Sequence, residues 1–215
     1  IDVMTEEGIV GRSYLEPYIV KSMRYLVPAL HDLGAMLKGR RIAPLELYDA
    51  ARKSLHFVGY EGLSMIAVSG LDMAAWDALA KAAGLPLCVL LGGSVGAVKS
   101  YNSNGLWLNP TETLAAEAIE LRNEGGFTGL KLRLGRERLQ DDLSALAAIR
   151  KAVGNDMHLM ADFNQGLNLA EALQRCHAID DQGLAWIEEP IVYDNLDGLA
   201  QLADRFATKL SGGQR

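Results

Sequence analysis

The chain has 215 residues, 49% of them hydrophobic and 22% charged, which is the composition of an ordinary globular protein able to bury a sizeable core. A net charge of −6 offers no polybasic face and argues against nucleic acid or an anionic membrane as a partner. Cys88 and Cys176 are too few for a disulfide framework, and no wholly apolar run reaches the ~18 residues that would span a bilayer, so a reducing cytoplasm is the expected setting.

The opening stretch IDVMTEEGIVGRSY reads as a hairpin turned by Thr5 to Gly8; it has no initiator Met, so the N-terminus is expected to be cut. Residues 17–55 carry helical apolar spacing, Ile19, Met23, Leu26, Leu30, Leu33 and Leu37, with a second helix starting near Pro44. EGLSMIAVSGLDMAAWDALAKAAGLPL follows as one long helix whose small residues Ala67, Ser69, Gly70, Ala74 and Ala75 permit close approach, and Gly84 and Pro86 stop it. From about residue 97 the texture changes to β-prone runs, AVKSYNS, GLKLRLG, HLMADFN and LAWIEEP, alternating with helices near 111–124, 137–153 and 168–182. Such alternation argues for βαβ units and a parallel sheet.

Each strand ends in polar residues: Ser103, then Lys131 and Arg133, then Asp162 and Asn164, then Glu188. In a (β/α) barrel these ends share one face, the face where barrel active sites lie. Lys131 and Arg133 are two apart and point to one side, with Leu130, Leu132 and Leu134 on the other. Cations on the crowded inner side need carboxylates, and Asp162 and Glu188 supply them. The spacing allows two readings: a divalent metal on Asp162 and Glu188 with Lys131 and Arg133 facing an anion, or a buried salt-bridge cluster or solvated loop charges. His31, His56, His158 and His177 show no recurring ligand spacing and read as surface or packing residues. Asp72 and Asp77 read as helix caps or ion pairs, and Cys176 as core.

AVSGLDMAAWDALAKAAGLPL, DFN and, 26 residues after its Asp, EEP together resemble the mandelate racemase and muconate lactonising enzyme branch of the enolase superfamily, nearest to the mandelate racemase subgroup. GRSYLEPY, GYEGL, GLKLRLG and WIEEP stand in the same order and near the same spacing. The resemblance implies an α+β capping domain, residues 1–95, and a (β/α)7β barrel, begun in residues 96–215, with Mg2+ at the barrel mouth binding the carboxylate of a small-molecule acid. It further implies abstraction of the α-proton to give an enediolate and, for the assembly, a homo-oligomer. By the same resemblance Asp162 and Glu188 are metal ligands, Glu189 is a hydrogen-bonding partner behind them, and Lys131 touches the substrate carboxylate. Asn164 and Ser103 are substrate or metal-site contacts, and Phe57 and Tyr60 are pocket walls or core aromatics.

Two departures qualify these implications. Arg133 stands at the position of a second catalytic Lys, and a guanidinium is a poor proton acceptor; this favours β-elimination of water from a sugar acid over two-base racemisation, and argues against cycloisomerisation or dipeptide epimerisation. The third metal ligand falls on Gln214, a weaker ligand than a carboxylate, and the strands expected to carry a His and Asp base are absent. The sequence is therefore read as partial and inactive alone, with a non-catalytic binding or assembly module as the alternative.

Overall fold

The computed structural model describes residues 1–211 and divides the chain into two compact units, Ile1–Ala97 and Val98–Arg215. In the first unit β1 (Asp2–Met4) and β2 (Val10–Arg12) form the expected antiparallel hairpin, with Val3 opposite Gly11. The turn closes through Thr5 N–H to Ile9 O at 2.9 Å, and Gly8 takes a φ of 84° that suits a residue without Cβ. The helical layer comprises α1 (Met23–Leu37), α2 (Pro44–Ser54) and α3 (Leu63–Ala82). Ile19 does not extend α1; a short 3-10 turn, Val20–Ser22, precedes the helix, and Ile19 and Met23 are exposed while Leu26 and Leu33 are buried.

α3 is the core helix of this unit, and its small residues do what their size predicts. A Cβ on Gly11 would lie 2.0 Å from Ala74 O, and one on Gly70 would lie 2.5 Å from Ile1 Cδ1. The chain leaves α3 through Gly84 at φ 65°, with Leu85 N–H bonded to Ala80 O at 3.0 Å, before Pro86 prevents continuation. At 20 residues and mean hydropathy 1.3, α3 is long and apolar enough to cross a membrane by length and composition alone, although Asp72, Asp77 and Lys81 interrupt it, so it is not a wholly apolar run. Its buried face packs instead against Leu26, Leu33 and Ala51, and it carries the Asp77–Lys81 ion pair at 2.6 Å. A single helical turn, α4 (Leu87–Leu90), follows.

The second unit is a parallel sheet in the order β3 (Gly129–Arg133), β4 (His158–Asp162), β5 (Leu184–Glu188), β6 (Leu210–Ser211). Between and before these strands run α5 (Thr111–Gly125), α6 (Leu139–Val153), α7 (Leu169–Ile179) and α8 (Leu196–Arg205). This is a partial (β/α) barrel. Leu130, Leu132, Leu159, Ala161 and Ile187 from the strands pack with Leu146, Ile149, Ala172, Cys176 and Ile179 from the helices in one buried cluster. α8 and β6 were not foreseen. The strand expected at AVKSYNS shrinks to one bridge, Asn102 to Leu130. There the Asn102 amide donates to Leu121 O and Glu124, and its carbonyl accepts from Asn104 N–H, so the side chain turns the backbone out of the sheet.

Candidate metal and carboxylate site

Three strand ends meet at one point because of one irregularity. β4 and β5 begin with Leu159 opposite Leu184, but a bulge shifts the register so that Ala161 faces Ile187 and Asp162 faces Glu188. Without that extra residue Ile187 would oppose Asp162 and Glu188 would lie beyond it. Lys131 reaches from β3 to both carboxylates: Nζ lies 2.9 Å from Asp162 Oδ2 and 3.1 Å from Glu188 Oε1. The two oxygens are therefore within about 6 Å of each other. Asp162 is 2% and Lys131 8% exposed, while the Glu188 side chain is 21% exposed, so the cluster is withdrawn from bulk water and open on the Glu188 side. Burial, the largest single influence, pulls the Lys131 ammonium toward deprotonation, yet hydrogen bonds and charge from Asp162 and then Glu188 together hold its pKa above the ordinary lysine value.

The remaining oxygens are also held. Asp162 Oδ1 accepts from Asn164 N–H at 2.8 Å, and Glu188 Oε2 accepts from Trp186 Nε1 at 3.3 Å. Trp186 is two residues before Glu188 on the same strand face, and Tyr101 meets its ring edge-on. Beyond the strands, Asn164, Gln165 and Glu189 all have positive φ, at 48°, 61° and 45°. Such conformations are costly for non-glycine residues and persist where surrounding bonds fix them. Here Gln165 N–H bonds Glu189 O at 2.8 Å, and Gln165 Nε2 bonds Glu189 Oε1 at 3.2 Å. Glu189 thus ties the two loops together while Glu188 points to Lys131. Asn164 contributes its backbone N–H, and its side chain is exposed.

Arg133 does not behave as expected. Among the described residues it has no carboxylate partner; its Nη1 donates to the carbonyls of Ser103 at 2.6 Å, Gly105 at 3.2 Å and Lys131 at 3.4 Å. The guanidinium lies over the Trp107 ring, 4.4 Å from its centroid. Ser103 therefore enters through its carbonyl rather than its hydroxyl. Behind Arg133 stands a network that sequence spacing did not reveal. Buried Asp142, on the first turn of α6, accepts from Gly135 N–H at 3.1 Å and Arg136 N–H at 3.0 Å and is paired with Arg175. Arg136 in turn bonds the carbonyls of Arg133 at 3.2 Å, Trp107 at 3.3 Å and Asn109 at 3.1 Å. An acidic residue opening a helix looks like a helix-dipole partner in sequence; its burial by arginines from two other segments has no local signature.

Phe57 and Tyr60 belong to the first unit. Phe57 is 92% exposed and not a core aromatic. Tyr60 donates its hydroxyl to Tyr48 at 3.1 Å, and burial followed by that bond raises its pKa to about 12. Gln214 lies outside the described residues. All four histidines are exposed, as expected. A cavity of about 640 Å3 in the first unit is lined by residues such as Val3, Leu30, Val68 and Leu71 and contains none of the candidate residues.

The donor set at the strand ends suits Mg2+, which prefers hard oxygen ligands and few of them from protein. Asp162 and Glu188 provide two carboxylates converging on one cation; among the described residues no cluster of three or more Asp, Glu, His or Cys surrounds a metal position. Both parts of the chain match a known family. Residues 1–92 match the mandelate racemase/muconate lactonizing enzyme N-terminal domain, and residues 113–215 the enolase C-terminal domain-like family. The chain belongs to the mandelate racemase/muconate lactonising family of the enolase superfamily. It is 35% identical over 157 residues to L-talarate/galactarate dehydratase of Salmonella typhimurium, covering 73% of this chain and 39% of that enzyme. It is 33% identical over 172 residues to arabinonate dehydratase of Saccharolobus solfataricus, covering 77% and 45% respectively. An enolase from the alpha proteobacterium bal199, crystallised with Mg, superposes with TM-score 0.93 at 61% identity, over 97% of this chain and 58% of that one. A Bradyrhizobium enolase in complex with magnesium and mandelic acid gives TM-score 0.89 at 36% identity, over 97% and 57%. The chain spans about half the length of the relatives it matches.

Proposed function

We propose that this chain carries the metal-binding and carboxylate-binding side of a Mg2+-dependent enzyme that removes the proton α to the carboxylate of a hydroxy acid, and that the reaction is loss of water from a sugar acid. The observation that carries this reading is the convergence of buried Asp162 and Lys131 with the partly exposed Glu188 on one point at adjoining strand ends. Asp162 and Glu188 would hold the ion, whose charge would oppose the negative charge that develops on the substrate carboxylate as its α-proton leaves. Lys131 sets a further positive charge beside the same carboxylate. Trp186 and the backbone N–H of Asn164 fix the two ligand carboxylates in orientation, so that little rearrangement accompanies binding.

Dehydration is preferred to racemisation because Arg133, pinned through Nη1 to three carbonyls, is unsuited to accept a proton. Removal then proceeds from one face, by a base other than Arg133. The C2–H and C3–O bonds break, the C3 hydroxyl leaves with a proton as water, and the enol left behind tautomerises to a 2-oxo acid. The relatives named above as dehydratases support this choice.

The test is exchange in deuterated water. With Mg2+ present, one C2 epimer of a substrate sugar acid should lose its α-proton and yield a 2-oxo acid, and Asp162→Asn should abolish both Mg2+ binding and turnover. Comparable exchange of both epimers would overturn dehydration in favour of racemisation. Unchanged Mg2+ affinity in Asp162→Asn would overturn the metal assignment.

A further inference from the structure

Arg133 is 8% exposed, yet no carboxylate lies against it among the described residues, whereas Lys131 two positions earlier is compensated twice. A buried charge without a counter-charge is expensive and calls for an anion from elsewhere. The geometry specifies where that anion would go. Every hydrogen bond of the guanidinium among the described residues leaves from Nη1, toward Ser103 O, Gly105 O and Lys131 O. Nε is fully buried with no partner. Stacking on Trp107 at 4.4 Å fixes the plane. What is left without a hydrogen-bond partner among the described residues is the Nε–Nη2 edge, covered at Nε and of the kind that binds the two oxygens of a carboxylate side by side.

We propose that Arg133 is a substrate-binding fork for a second carboxylate, so that the site takes dicarboxylic rather than monocarboxylic polyhydroxy acids. The proposal rests on the α-proton reading above, since Lys131 and the metal ligands hold the first carboxylate. Lys131 and Arg133 are alternate residues of β3 and share a face, with Cα atoms ~7 Å apart. One extended diacid can therefore address both. Trp107, 54% exposed and anchored by Arg136 through its carbonyl, roofs the fork and must adjust when the edge is filled.

The probes are galactarate and galactonate, which share a carbon chain and differ by one terminal carboxylate. Each is titrated into the intact enzyme with saturating Mg2+, followed by heat and by tryptophan fluorescence. Galactarate should bind on the order of 10–100-fold more tightly, the effect of one charge-assisted bidentate pair. Arg133→Gln should erase that preference while keeping galactonate binding; Arg133→Lys, with a point charge but no fork, should keep only part of it. Trp107→Phe should keep the preference and lose the fluorescence change. Equal affinities in the wild type, or a full preference surviving in Arg133→Gln, would overturn the fork. Should Arg133→Gln fail to fold, a full preference in Arg133→Lys overturns it equally. Binding of neither acid by the wild type would overturn the α-proton reading itself.

Discussion

Replacing Asp142 by Asn changes almost no volume but removes the charge on which three segments converge. Asp142 is 1% exposed and accepts from the backbone of Gly135 and Arg136 and from the guanidinium groups of Arg136 and Arg175. Those two arginine side chains are themselves only 10% and 9% exposed. An amide keeps one acceptor oxygen and turns an NH2 group toward donors, so at least one guanidinium is left buried against a like-signed dipole. Each hydrogen bond to a charged group contributes about 1.5–3 kcal/mol, but the bonds are shared, and breaking a buried pair from one side costs about 3–5 kcal/mol. A loss of about 3–5 kcal/mol is expected for Asp142→Asn, measured by urea unfolding. Trp107 and Trp186 report on this unit and Trp76 on the other, so variants lacking Trp76 read the right transition. Adding Arg175→Met to Asp142→Asn should regain part of the loss, because one of the two stranded guanidinium groups is then gone while Arg136 remains. A loss below about 1 kcal/mol would refute the reasoning, since it would mean that water reaches the arginines freely.

The cysteines should differ sharply in reactivity. Cys88 is exposed, while burial and then the charge of Asp180 push the Cys176 thiol up to about 12, so at pH 8 a disulfide reagent should label one thiol in the native protein and two after denaturation; rapid native labelling of both would contradict the buried placement. Asp180 clips the chain after α8 to the end of α7, accepting from Thr208 N–H at 2.8 Å and Ala207 N–H at 3.3 Å, and the Thr208 backbone bond chiefly holds its pKa below the ordinary 3.8. A depressed folded-state value means that its stabilisation is present above pH 3.8 and is lost as the pH falls through the lower folded value. Asp180→Asn should therefore destabilise at pH 7 by about 0.5–1.5 kcal/mol, and the gap from wild type should narrow below pH 4; a gap independent of pH would show that the charge is not involved.

The features legible in the sequence are those whose causes are local. Alternating β-prone and amphipathic runs located β3, β4 and β5, because side-chain period and helix stop signals act within a few residues. The long helix α3 and its Gly84 stop were visible for the same reason. The bulge in β5 was not, since LAWIE has no mark distinguishing a regular strand from one carrying an extra residue; only pairing with β4 shows it. The strand lost at Asn102 failed because an amide side chain there bonds a helix some 20 residues on, a partner no local window contains.

The same distinction separates the two cations of β3. Spacing places Lys131 and Arg133 on one face and treats them alike, either both facing an anion or both paired with Asp162 and Glu188. Three dimensions allow one ammonium between two carboxylates, and Lys131 fills it because its slender stem reaches a single point. A planar guanidinium needs acceptors spread across its edges, and the carbonyls of Ser103 and Gly105 in the loop after Asn102, with that of Lys131 on β3, provide them for one nitrogen only. Among the described residues Arg133 is thus left with a charge that no carboxylate neutralises, two residues along the strand from a lysine that is paired twice. The asymmetry arises from the shapes of the two head groups on alternate residues. It leaves Lys131 between two carboxylates, a cluster that keeps one net negative charge for a metal ion, and makes Arg133 the position proposed to discriminate among substrates.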